Sequence, residues 1–417
     1  MNLREFWGAG HWPTLLAALL YLTISFMVWL ILGGLANDVA ADLQLSISQR
    51  GLLVAMPLLG GAIVRLPLGM LTDRLGAKPT ALVTLSCTLV PLLLGWLWSD
   101  SYSRLLVVGL LLGIAGGSFA VALPLAGRWY PPQYQGLALG LVGAGNSGTA
   151  LATLFAPRLA ALFGWSAVMG LAIIPVVLTL VLVAVMSREA PVVGQPKPIS
   201  HYFGVLRQRD CWWLCLFYAV TFGGFVGLAS FLSVFFRTKY EVSAVMAGNL
   251  ATMGALAGAW LRPVGGWLAD QFGGVRVLVV LYLLVALGMT LLSLGPTVLG
   301  ATLLFSSTLG LLGMGNGAVF QLVPQRFPRE LGSITGLVGA AGGLGGFFLP
   351  TMLGLGHACW GSYSIGFLAF GLAAVFCAAS IAVVSRAWYG VYMQTGGVAA
   401  LSLATPLDGA RSAAGDR

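Results

Sequence analysis

Long apolar runs, broken by short polar stretches, repeat from one end of the chain to the other. They fall at 12–35, 51–72, 79–98, 104–126, 136–160, 166–187, 211–236, 243–268, 275–296, 299–322, 332–355 and 360–385. About 20 apolar residues in a helix cross the hydrocarbon layer of a bilayer, and only a helix or a closed barrel satisfies its own backbone there. The pattern predicts an all-α membrane protein with twelve transmembrane helices. The polar stretch 188–210, with Pro191, Pro196, Pro198 and several basic residues, divides the runs six and six. It reads as a cytoplasmic linker between a first half, 1–187, and a second half, 211–386; the Gly-, Ala- and Ser-rich segment 387–417 reads as a cytoplasmic tail. The first run is too long for a signal peptide and carries no cleavage site, so it is expected to be the first span.

Polar residues inside the runs are few, which makes two of them conspicuous. Arg65 lies in the second run and Arg262 in the eighth, 197 residues apart. An arginine inside a membrane helix costs about 3 kcal/mol on insertion scales. Snorkelling from a helix end is the plain alternative, but each arginine has apolar sequence on both sides. The pair points to an anion site shared between the two halves. Each arginine leads the same trailer, Arg65-x3-Gly69-x3-Asp73 and Arg262-x3-Gly266-x3-Asp270, followed by Gly76-x-Lys78 and by Gly273-x2-Arg276. Asp73 and Asp270 come at span ends, where a carboxylate can cap a helix or pair with an arginine. Asp73, Arg74 and Asp270 are therefore expected to gate or brace the protein and not to touch its ligand.

A second repeat lies in the fifth and eleventh runs. Gly140-Leu-Val-Gly143-Ala-Gly145-Asn146-Ser-Gly148 matches Gly336-Leu-Val-Gly339-Ala-Ala-Gly342-Gly343 at an offset of 196. Small residues at three- and four-residue spacing let helices approach closely. Tight packing explains most of these glycines, with Gly140 and Gly336 read as structural or gating. A bare backbone also admits a small ligand, which makes Gly143 and Gly339 candidate lining. Asn146 is a lone amide among small residues, open to two readings: an interhelical hydrogen bond or a ligand donor.

Composition agrees with the pattern: 59% of the 417 residues are hydrophobic and 8% charged, against about 25% charged in soluble domains. The net charge of +9 follows sidedness, not nucleic acid. Fourteen Lys and Arg fall on the linker side of the spans and five on the other, with Arg65 and Arg262 inside. The positive-inside rule then puts both termini in the cytoplasm. The twelve acids avoid the middle of every run; Asn37, Asp38 and Asp42 follow at the outer end of the first span, and the two acids are read as solvated. Proton-coupled carriers commonly use an intramembrane acid or histidine, so this pattern favours anion exchange. The five cysteines and three histidines show no metal-ligand spacing, and no nucleophile–base constellation appears in the spans. No cofactor, metal or enzymatic activity is expected.

The repeated G-x3-D-x2-G form resembles that of the major facilitator superfamily. Gly116-Gly-Ser-Phe119-Ala, the two glycine repeats, Tyr218-Ala-Val-Thr-Phe222-Gly223 and Gly313-Met-Gly315-Asn316-Gly317-Ala-Val-Phe320 narrow the likeness. With these residues the sequence resembles the nitrate/nitrite porter family of that superfamily, over nearly all its spans. The resemblance implies two six-helix halves with the site between them. It implies that Arg65 and Arg262 clamp the substrate, that Phe119 packs on a flat anion, and that Asn146 and Tyr218 reach it. Gly342 stands where Asn146 would repeat, so the halves are not chemically equivalent. The expected function is nitrate and nitrite transport by alternating access, as exchange; proton symport and another small anion are the alternatives. A monomer in the cytoplasmic (inner) membrane, with no nucleic-acid partner, is the expected setting.

Overall fold

A computed structural model describes residues 3–190, 204–327 and 331–389. Most of the predicted linker (191–203), most of the tail (390–417) and Pro328 lie outside the described residues. Twelve helices are long and apolar enough to cross a membrane: α1 Trp12–Asp42, α2 Ile47–Leu75, α3 Ala77–Leu97, α4 Tyr102–Gly127, α5 Ala138–Phe163, α6 Trp165–Met186, α7 Arg209–Tyr240, α8 Ala244–Phe272, α9 Gly274–Ser293, α10 Val298–Val323, α11 Ile334–Trp360 and α12 Ser364–Ala387. Each overlaps one predicted run. The chain is an all-α integral membrane protein of two pseudo-symmetric six-helix halves.

Local chemistry sets the helix ends. Ser46 and Gln49 form a reciprocal capping box at the start of α2, and the side chains of Ser243 and Thr297 cap α8 and α10. The third glycine of the repeated loop has a conformational duty in both halves. Gly76 and Gly273 take φ of +96° and +90° and end α2 and α8, a backbone that a Cβ would strain.

The main helix pairs that pack across the halves are α1 on α7, α2 on α11 and α5 on α8. Exposed apolar side chains such as Val185 on α6 and Leu372 on α12 face outward, as lipid-facing positions should. The two ends of the bundle differ. At the end holding the α1–α2 loop, the halves touch closely. The Asn37 amide donates to the Ser233 carbonyl at 3.0 Å. The Thr153 and Thr252 hydroxyls lie 2.8 Å apart, and Arg158 donates to Asn249 at 2.6 Å. A Cβ on Gly248 would stand 2.4 Å from the Thr153 carbonyl oxygen. At the other end, a Cβ on Gly140 or Gly266 would meet nothing within 4 Å. The close approach expected from glycine spacing is thus absent at Gly140, and at Gly336 the nearest neighbour is Leu66 at 3.8 Å.

One sequence expectation is corrected here. α1 does not stop near residue 35 but breaks at Leu30 and continues to Asp42. Asn37 is therefore buried between the halves, and Asp38 beside it is not fully solvated as expected. Asp38 is half-buried, with an Oδ2 that has no hydrogen-bond partner. Asp42 is exposed and accepts from the Trp165 indole at 2.9 Å.

Candidate functional site

The residues singled out in the glycine-rich and arginine-bearing runs converge midway along the bundle. Arg65 on α2 is only 1% exposed. α4 loses its helical run at Gly117 and Ser118, and the Gly116 carbonyl beside that break accepts from Arg65 Nε at 3.1 Å. Arg65 Nη1 donates to the Gly339 carbonyl on α11. A Cβ on Gly339 would stand 3.5 Å from Arg65 Cδ, so this glycine lies against the guanidinium arm. Arg65 Nη2 is buried without a partner.

Arg262 comes from α8 of the other half. Its Nη1 is likewise buried without a partner. A Cβ on Gly143 of α5 would stand 3.8 Å from its Nε. One turn on, α5 tightens into a 3-10 turn at Ala144–Ser147, packed between α1 and α8. Asn146 sits in that turn, 1% exposed, with a buried Oδ1 that has no partner.

Aromatic rings complete the walls. Phe119 lies under both guanidinium groups, 5.9 Å from Arg65 and 5.0 Å from Arg262. Trp29 and Phe222 face Arg65 at 5.1 and 4.8 Å, and Phe320 faces Arg262 at 5.7 Å. Tyr218 stacks on Phe222 at 5.0 Å and meets Phe320 edge-on at 5.0 Å. Its hydroxyl is buried, faces the Arg262 guanidinium short of full hydrogen-bond geometry and lies in the field of both arginines. Ring faces attract a desolvated cation by up to about 2 kcal/mol each. They therefore stabilise the guanidinium groups without neutralising them. Among the described residues neither arginine pairs with a carboxylate; the ion pairs are Arg104–Asp100, Arg128–Asp73 and Arg326–Asp210. The two guanidinium groups also feel each other, so the chamber is positive and holds N–H groups without a protein partner.

Arg65, Arg262, Phe119, Asn146, Tyr218, Gly143 and Gly339 are thus brought together. Gly140 and Gly336 lie nearer the looser end. Asp73, Arg74 and Asp270 stand at helix ends away from the chamber. Asp73 pairs with Arg128 at 2.9 Å, Arg74 is exposed, and Asp270 is exposed beside Gln321. The two loops therefore differ, although their sequences repeat. Arg326, one residue past the position that the repeat offset gives for Arg128, bonds instead to Asp210 at the start of α7. Trp388 donates to the other oxygen of Asp210 at 3.0 Å.

Sequence reasoning missed Trp29, Phe222 and Phe320 as parts of the site. The available signal was helical spacing: Phe222 stands one turn from Tyr218, and so shares its face.

Comparison with known proteins agrees with this geometry. Residues 17–350 match the Major Facilitator Superfamily. The chain is 34% identical to the nitrite extrusion protein of Bacillus subtilis, over 88% of this chain and 93% of that one. It is 34% identical to the probable nitrate/nitrite transporter NarK2 of Mycobacterium tuberculosis, over 83% and 89%. It is 31% identical to the probable nitrate/nitrite antiporter NarK1 of Thermus thermophilus, over 81% and 84%. The fold is similar to that of the xylose transporter XylE from E. coli in a partially occluded inward open conformation, with a TM-score of 0.69 at 16% identity, covering 89% of this chain and 98% of that one. It is also similar to an inward-facing bacterial homolog of the lysosomal transporter Spinster, with a TM-score of 0.66 at 20% identity, over 89% and 96%.

Proposed function

The chain belongs to the nitrate/nitrite transporters of the Major Facilitator Superfamily, and from that premise we propose that it exchanges nitrate for nitrite by alternating access, with Arg65 and Arg262 clamping the anion. One observation carries the reading: two guanidinium groups, one from each half, Arg65 buried and Arg262 half-buried, share the Phe119 ring and, among the described residues, pair with no carboxylate. A guanidinium is a planar fork of donors that stays protonated, and it fits a flat oxyanion edge-on. The free Nη2 of Arg65 and Nη1 of Arg262 supply donors without breaking any bond in the empty protein. The Asn146 amide and the Tyr218 hydroxyl are further donors, and the bare backbones at Gly143 and Gly339 leave the room.

The same electrostatics favours exchange. Buried like charges repel strongly in a medium of low dielectric. Closing both ends around an empty chamber brings the two arginines together with nothing between them. An anion between them removes most of that repulsion, so the loaded carrier crosses more readily than the empty one. The halves 1–187 and 211–386 then rock about the bound anion. With both termini cytoplasmic, as the charge count favours, the tight end faces outward and the looser end faces the cytoplasm. The proposed setting is a monomer in the cytoplasmic membrane, since one chain holds both arginines.

A second reading, proton-coupled nitrate uptake, draws on Asp38. This acid in α1 is half-buried with an unpartnered oxygen. It stands more than two turns beyond Trp29, at the tight end.

The clamp is tested by Arg65→Lys and Arg262→Lys in proteoliposomes. Lysine keeps the charge and loses the planar fork. Each variant is expected to insert and melt like the parent while nitrate flux falls by at least about 100-fold, on the order of 3 kcal/mol. Near-normal flux in both would remove the clamp from the account.

A further inference from the structure

α10 holds a polar side chain that the clamp leaves unused. Asn316 is 1% exposed, and both its amide oxygen and its amide nitrogen are buried without a hydrogen-bond partner. A primary amide has two N–H donors and an acceptor oxygen, and such groups are rarely left entirely unpaired in a protein interior.

Its position is fixed from three sides. Phe320, four residues on and so on the same helix face, packs against Phe119, Tyr218 and Arg262. The exposed Leu303 lies on the opposite face. On the flank, a Cβ on Gly313 would stand 2.0 Å from the Gly258 carbonyl oxygen, and one on Gly317 would stand 2.3 Å from that of Arg262. α10 therefore crosses α8 at the root of Arg262, with Asn316 beside the crossing.

The internal repeat gives this position a meaning. The offset of 197 that takes Arg65 to Arg262 also takes Gly116 to Gly313 and Phe119 to Asn316. Phe119 is the ring shared by both guanidinium groups. Its counterpart in the second half is an amide with free donors. Where the first half puts an aromatic face in the register, the second half puts a hydrogen-bonding group.

We propose that Asn316 is a further substrate-contacting residue whose N–H donors reach an oxygen of the bound anion and set the preference between nitrate and nitrite. The inference rests on the nitrate/nitrite reading of the clamp. Nitrate has three oxygens in a plane. The free nitrogens, Arg65 Nη2 and Arg262 Nη1, take one oxygen each, which leaves the third to be bonded by another donor. Nitrite has only two oxygens and depends less on a third donor.

The test measures KM for both anions in proteoliposomes carrying the parent, Asn316→Leu or Asn316→Ser. Leucine is close in volume and has no donor; serine keeps one. Asn316→Leu is expected to raise the nitrate KM about 10- to 100-fold, the effect of losing a hydrogen bond to a charged group. The nitrite KM should rise less, and Asn316→Ser should recover part of the loss. Equal KM shifts for both anions with a lowered melting temperature would make Asn316 a packing residue and overturn the proposal, as would unchanged KM values. If Asn316→Leu does not fold, Asn316→Asp decides. It is isosteric, lacks the N–H donors and adds a negative charge, so retained nitrate transport would overturn the proposal and its loss with a parental melting temperature would support it. A parent protein that moves neither anion would overturn the clamp reading itself, whereas a failure confined to the Asn316 variants leaves that reading intact.

Discussion

An arginine sealed from water must find its compensation nearby, and Arg65 finds it in two carbonyls and three rings. None of these carries a negative charge, so the positive charge remains for a ligand. The arginines were legible in the sequence because a charge in an apolar run contrasts with its background. Trp29, Phe222 and Phe320 were not legible, because an aromatic in an apolar helix looks like any other core or lipid-facing residue. Tyr218 gives a prediction at this scale. Its hydroxyl faces only the Arg262 guanidinium, short of full hydrogen-bond geometry, so Tyr218→Phe is expected to leave the substrate-free melting temperature nearly unchanged. The nitrate KM should rise at least about tenfold, since a hydrogen bond to a charged group is worth about 1.5–3 kcal/mol. A melting temperature several degrees lower with an unchanged KM would show the hydroxyl to be structural.

Helices carry the gates. At the tight end, α5 meets α8 so closely at Gly248 that no larger residue fits. Gly248→Leu should therefore force the halves apart there, at a cost of about 1–3 kcal/mol. A cysteine introduced by Ser233→Cys, with the five native cysteines replaced, is expected to react faster with a membrane-impermeant maleimide when Gly248→Leu is present. Unchanged reactivity would mean that this contact does not hold the end shut. Gly140 predicts the converse, because it faces open space. Gly140→Leu should melt normally and still bind nitrate, yet stop transport, since the added side chain obstructs the closure that alternation requires. Normal flux would contradict that role. The glycine spacing announced Gly140 in the sequence but not Gly248, which lies outside the repeat, and it could not tell which end was closed; that depends on the state of the whole bundle. The first span was misjudged for a related reason. Bilayer thickness suggested an end near residue 35, but packing against α7 carries α1 on to Asp42 and buries Asn37. The repeated loops also concealed a difference, because the partners that separate Asp73 from Asp270 come from α4 and α10, far away in sequence.

At the scale of the molecule, the internal repeat supplies two halves and the chamber lies where they meet. The repeat is broken at two places that matter: Asn146 faces Gly342 in the register, and Phe119 faces Asn316. On the exchange proposed above, such a site binds one small anion asymmetrically while the halves move symmetrically about it. Its net positive charge links occupancy to motion, and this is the central claim: the loaded carrier crosses and the empty one does so poorly. Nitrate uptake into proteoliposomes at clamped membrane potential tests it most directly, with nitrite inside one set and only buffer plus an inward proton gradient in the other. The account predicts uptake with internal nitrite and little without it. Equal uptake driven by the proton gradient alone would contradict it, and would turn attention to Asp38 as the group that carries the proton.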